Sequence, residues 1–119
     1  MSKSILLVED EESMQILLSY MLQSKGFVVT IADNGADAVS LLKSQKFDIL
    51  CTDIMLPKMN GIEVCKFSRE FYPHLPIIVI SSKSQEKEIE EALSAGANDY
   101  VKKPFDVDDL LLKIQYYLQ

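Results

Sequence analysis

FDILCTDIMLP, residues 47–57, is apolar along most of its length and sets Asp53 between Thr52 and Ile54, where the run ends. Burial of an unpaired charge is costly, so this carboxylate is either a turn residue behind a strand or a reactive group held at a sheet edge. The flanking sequence decides between them. Short apolar runs alternate with segments of helical period, and no repeat, linker or low-complexity stretch interrupts them. SILLV (4–8), FVVTIA (27–32), FDILCT (47–52), PIIVIS (76–81) and DYVKK (99–103) read as strands. Met14, Leu17, Leu18, Met21 and Leu22 follow the spacing of one buried helix stripe, closed by Lys25 and Gly26. Asn34 caps a second helix whose inner positions are Ala38, Val39 and Leu42. A third, weaker helix runs from about Ile62 to Phe71 after the turn-like PKMNG. Ile89, Ala92 and Leu93 mark a fourth, stopped by Gly96, and Val107, Leu110, Leu111, Ile114 and Leu118 carry the last.

Strict alternation of five strands and five helices predicts an α/β fold, a doubly wound five-stranded parallel sheet of flavodoxin-like (βα)5 type. In such a fold the strand C-termini share one edge, where ligands bind. Strand one delivers Glu9 and Asp10 there, strand two Asp33, strand three Asp53, strand four Ser81, and strand five Lys103 followed by Pro104. For the acids of strands one and three to meet, those strands must be neighbours and strand two must lie outside. The strand order is then 2-1-3-4-5.

Composition narrows the function. The 119 residues fit a single domain, 1–119, and almost half of them are apolar. The opening MSKS leads into an apolar run too short for a signal peptide or a membrane span, which predicts a cytoplasmic protein. Cys51 and Cys65 sit in apolar and helical patterns, as reduced core thiols rather than a disulfide or zinc set. A net charge of −6 disfavours nucleic acid and anionic membranes and points to a cation or a protein partner.

VED at 8–10, TDIMLPKMNG at 52–61, VISS at 79–82 and GANDYVKKPF at 96–105 together resemble the receiver domain of two-component response regulators. The resemblance spans the chain with its four elements in order, and its motifs are most similar to the OmpR/PhoB subfamily. The residues support the same chemistry on their own account. Three carboxylates gathered at one edge repel one another unless a cation joins them, and hard oxygen donors suit Mg²⁺ (or Mn²⁺). A carboxylate such as Asp53 needs no general base to act as a nucleophile toward phosphorus. Lys103 offers a point charge and Ser81 a hydroxyl to phosphoryl oxygens. The resemblance further implies that Asp10 and Asp53 ligate the metal, with Glu9 acting at longer range and Met55 giving its backbone carbonyl. It also implies a switch made of Ser81 and Tyr100, a cis bond at Pro104, and an output surface of helix four, strand five and helix five.

Ordinary roles compete for some of these residues. Glu11 and Glu12 suit a helix start, and His74 lies in a polar connection with no triad beside it. A phosphatase of the haloacid dehalogenase type would carry a second acid two residues after Asp53, where Met55 stands. A flavin or nucleotide binder would need a phosphate cradle after strand one, and EDEES would repel the phosphate. The expected partners are a sensor histidine kinase or phosphotransfer protein on one side. On the other stands a downstream protein or a C-terminal output domain outside this chain. Asp108 stands where the subfamily usually has a basic residue, which sets a heterologous partner against phosphorylation-driven homodimerisation. The domain is expected to catalyse only its own phosphorylation and dephosphorylation.

Overall fold

The apolar runs pair as five parallel strands, β1 (Ser4–Val8), β2 (Val28–Ala32), β3 (Ile49–Thr52), β4 (Ile77–Ser81) and β5 (Asp99–Lys102), in the order β2-β1-β3-β4-β5. The helices between and after them are α1 (Glu12–Ser24), α2 (Gly35–Ser44), α3 (Gly61–Phe71), α4 (Glu86–Ser94) and α5 (Val107–Tyr117). This is a computed structural model, and it describes residues 2–83 and 85–119. The flavodoxin-like architecture and the strand order agree with the sequence reading.

Strand side chains alternate between faces with a period of two, and this parity divides the core into two layers. Leu6, Val8, Leu50, Ile77 and Val79 join Ala38, Leu42, Val64 and Ala92, from α2, α3 and α4, on one face. Ile5, Leu7, Ile49, Cys51 and Ile78 join Leu18, Leu22, Leu110 and Ile114, from α1 and α5, on the other. The central strands β1, β3 and β4 are buried on both faces.

Some expectations shift. Leu17 is 45% exposed and Leu93 44%. Each adjoins a residue that takes the core position, Leu18 and Ala92, and one helical step of about 100° carries it off the sheet. Phe27, Phe47, Asp48, Pro76 and Lys103 fall outside the strands; proline has no N–H for a ladder, although the Pro76 carbonyl still accepts from Leu50 N at 2.9 Å. Asn34 caps α2 as the sequence predicts, accepting from Asp37 N. α3 begins earlier than expected, because Asn60 accepts from Glu63 N at 3.0 Å and caps it.

Candidate functional site

Parallel pairing of β1 with β3 fixes the heart of the site. Val8 lies opposite Thr52, and the next amide, Asp53 N, donates to Val8 O at 3.0 Å. Asp53 therefore leaves the sheet beside Glu9 and Asp10, and one carboxylate oxygen from each of the three lies within 4.8 Å of the others. Glu9 and Asp53 are buried, at 2% and 8% exposure, whereas Asp10 faces solvent. Asp33, at the end of the outer strand β2, is exposed and is not among the three; its carboxylate accepts from Asn34 Nδ2 at 2.8 Å.

Lys103 reaches across from the end of β5. Its Nζ donates to Asp53 Oδ2 at 2.7 Å and to Glu9 Oε1 at 2.8 Å. Burial alone pulls the ammonium toward its neutral form, but the hydrogen bonds and charges of Asp53 and Glu9 outweigh it and hold the lysine pKa above its ordinary value. The Lys103–Pro104 peptide is cis, and Lys103 N donates to Ser81 O at 2.8 Å. That bond ties the lysine's backbone to the end of β4.

The second oxygen of each buried carboxylate is held by backbone. Asp53 Oδ1 accepts from Ile54 N at 2.6 Å and from Met55 N at 3.2 Å, and Glu9 Oε2 accepts from Glu11 N at 3.1 Å. The loop that supplies the first two amides folds back over β3, where Gly61 N donates to Ile54 O at 2.9 Å. A Cβ on Gly61 would lie 1.9 Å from Asp53 O, so only glycine permits this approach. Sequence reasoning missed both the amides and the approach. The Asn-Gly pair within PKMNG was the available signal, and it was read only as a turn.

Ser81 ends β4, and Tyr100 lies on the neighbouring β5, opposite Val79. Ser81 is fully buried, and its hydroxyl accepts from Lys83 N at 3.1 Å. The Tyr100 hydroxyl donates to the Lys83 carbonyl. Burial raises the Tyr100 pKa; the Ser81 hydroxyl opposes that rise, and the charges of Glu88 and Asp53 add to it. Met55 contributes its amide to Asp53 while its side chain points to solvent, 58% exposed.

Three oxygen donors within 4.8 Å suit a hard divalent cation, since no sulfur or imidazole enters the set. Three surface grooves among the described residues, of about 460, 530 and 620 Å³, are lined by other residues. Among the described residues, no helix is long and apolar enough to cross a membrane.

Comparison with known proteins takes in the whole alternation of strands and helices, from β1 into α5. The family described as the response regulator receiver domain matches residues 5–115, and the chain belongs to it, as a receiver domain of two-component systems. Among curated relatives, the alkaline phosphatase synthesis transcriptional regulatory protein PhoP of Bacillus subtilis is 38% identical over 119 residues, covering 100% of this chain and 50% of PhoP. The chain spans about half the length of the curated relatives it matches. Among solved structures, a CheY-like receiver domain from Methanospirillum hungatei superposes with a TM-score of 0.95 at 28% identity, covering 99% of this chain and 94% of that one. TrrA of Thermotoga maritima, solved in complex with Mg²⁺ and BeF, gives a TM-score of 0.89 at 31% identity, covering 98% and 99%.

Proposed function

We propose that Asp53 accepts a phosphoryl group from the phosphohistidine of a sensor kinase or phosphotransfer protein. The observation that carries this reading is the bridge made by Lys103 Nζ between Asp53 Oδ2 and Glu9 Oε1, with Asp10 in the same cluster. A bond forms between an Asp53 oxygen and phosphorus as the phosphorus–nitrogen bond of the donor breaks, and the imidazole nitrogen keeps the electron pair. The Ile54 and Met55 amides orient the nucleophile. Lys103 stays beside the incoming oxygens as a fixed positive charge, and Ser81 is the hydroxyl nearest to hand on β4. Asp10, Asp53 and the Met55 carbonyl would hold Mg²⁺ (or Mn²⁺), with Glu9 acting at longer range. The metal, when bound, neutralises charge on the transferring group.

The output follows from the neighbours of Ser81. A hydroxyl drawn toward new phosphoryl oxygens alters the packing of Tyr100, and with it the face made by α4, β5 and α5. That face is acidic, with Glu86 and Glu88 in the first turn of α4 and Asp108 and Asp109 in that of α5. A second copy docked symmetrically there would set like charges together, so the reading favours a heterologous protein or an output domain.

Intact-mass measurement after incubation with acetyl phosphate and Mg²⁺ tests the assignment. The wild type gains one phosphoryl mass; Asp53→Asn, or wild type in excess EDTA, gains none. A full mass shift in either control would remove Asp53 or the metal from the mechanism.

A further inference from the structure

β2 is an open edge of the sheet, and it lacks the devices that keep an edge strand from pairing. Natural edges are blunted by lysine, proline, a bulge or a covering element, yet Val28–Ala32 reads VVTIA, without charge or proline. Val28 is 54% exposed and Ile31 39%, and beside Ile31 the α1 side chains Ile16 and Tyr20 are 62% and 66% exposed. Ile31, Ile16 and Tyr20 line one groove of about 620 Å³ whose other walls are serine and glutamine. In a chain of net charge −6, this surface is neutral.

The backbone has the matching parity. Val28 N donates to Lys3 O at 2.9 Å, and Ala32 O accepts from Glu9 N at 3.0 Å. Val28, Thr30 and Ala32 thus direct their polar groups at β1, and by alternation Val29 and Ile31 turn theirs to the open edge.

We propose that this edge is a self-association surface, at which β2 of a second copy adds in antiparallel orientation and joins two sheets into one of ten strands. With the two-fold axis at Thr30, Val29 faces the partner's Ile31 and Ile31 faces the partner's Val29. Both are hydrogen-bonded positions of an antiparallel ladder, so every outward amide and carbonyl of the two residues finds a mate. Charge selects the same arrangement. Exposed Lys3 and Lys25 flank the start of β2, and exposed Asp33 and Asp37 flank its end. Antiparallel pairing brings the basic end of each copy to the acidic end of the other, whereas parallel pairing would oppose like charges. The patch is therefore complementary to itself, as an isologous interface requires. The contact uses no residue of the acid site, so it forms without phosphorylation and is distinct from any dimer through α4, β5 and α5.

Sedimentation equilibrium without metal or phosphoryl donor tests the proposal. The wild type should approach the dimer mass as concentration rises. Ile31→Pro should stay at the monomer mass with its circular dichroism retained, because the N–H it removes faces away from β1. Ile31→Lys, which places two ammonium groups near the axis, should do the same and serves if the proline variant fails to fold. Thr30→Cys should oxidise to a single disulfide-linked dimer. Cα atoms at that non-hydrogen-bonded position would lie about 4.5 Å apart, within disulfide reach, and Cys51 and Cys65 are buried and do not compete. A wild type that remains monomeric to millimolar concentration overturns the proposal. So does a dimer that persists in Ile31→Lys while Thr30→Cys fails to cross-link.

Discussion

The two edges of the sheet carry comparable polar side chains and treat them differently. At the N-terminal edge, Arg69 donates to Gly96 O at 2.7 and 3.2 Å, to Pro73 O at 2.7 Å, to Tyr72 O at 3.3 Å and to Asn98 Oδ1 at 3.0 Å. Asn98 Oδ1 also accepts from Ile77 N at 2.8 Å, and Tyr117 OH donates to Asn98 O at 3.0 Å. Donors meet acceptors there, and the network ties α3, α5, β4 and β5 together. At the C-terminal edge, three carboxylates gather and one lysine pairs with two of them, Glu9 and Asp53. Backbone conformation follows the same division. Positive φ falls on glycine near the N-terminal edge, at Gly26 (92°) and Gly96 (117°), but on Lys58 (68°) in the loop above the acids. Balanced charge and relaxed backbone mark an edge that only holds the fold. Surplus charge and a strained turn mark the edge at which the proposed phosphoryl acceptor, Asp53, lies.

The contrast breaks most sharply at Arg69. Arg69→Ala should lower the unfolding free energy in urea by about 2–3 kcal/mol, because it strips a charged donor from several carbonyls at once. Phosphoryl acceptance by the folded fraction should persist, since no Arg69 contact reaches the acids. Asp10→Asn should do the reverse. Its metal-free stability should match or exceed that of wild type, through relief of like-charge repulsion. It should also lose the stabilisation that Mg²⁺ gives wild type, about 1.4 kcal/mol at tenfold the dissociation constant, read as the urea midpoint with and without EDTA. If Asp10→Asn keeps the full Mg²⁺ response, the surplus charge at this edge is not a metal site.

β3 links the edges and supplies a pH test. Burial pushes the Cys51 thiol from 9.0 up to about 12, and it does the same for Cys65 against a smaller opposing effect of Arg69. A folded pKa above the unfolded one gives stability that is complete below the unfolded value and is lost as pH climbs to the folded value. Unfolding free energy should therefore fall between pH 9 and 12, with each thiol contributing a slope of about 1.4 kcal/mol per pH unit. Cys51→Ala should flatten that limb by one thiol's share. The smallest effect belongs to Lys58. Lys58→Gly should raise stability by about 0.5–1 kcal/mol, as relief of the left-handed conformation exceeds the added freedom of the unfolded chain.

The same division explains what the sequence could disclose. The C-terminal edge was legible because the strands that build the site present their polar residues at the same place, directly behind an apolar run, as Asp53 does in FDILCTDIMLP. Strand order followed from the need to bring Asp53 to Glu9 and Asp10, and Asn34 was recognised as a cap from its position alone. Arg69 carried no such signal. It sits in a helix among Lys66 and Glu70, where a charge ordinarily means solvent, and its acceptors lie on other elements. Leu17 and Leu93 failed for the opposite reason. Periodicity reports which residues could be buried, and the sheet, being narrower than the stripe, covers only part of them.

Gly61 has a consequence for how this chain tolerates change. It is the first residue of α3, a position where helices accept almost any side chain, and Asn60 before it needs only a short acceptor. A library randomised at both codons and selected for the folded protein should return serine, threonine or aspartate at 60 in place of asparagine. At 61 it should return glycine alone, because the constraint there is the carbonyl of Asp53, eight positions upstream. The identity of a helix residue is thus set by the acceptor it shelters.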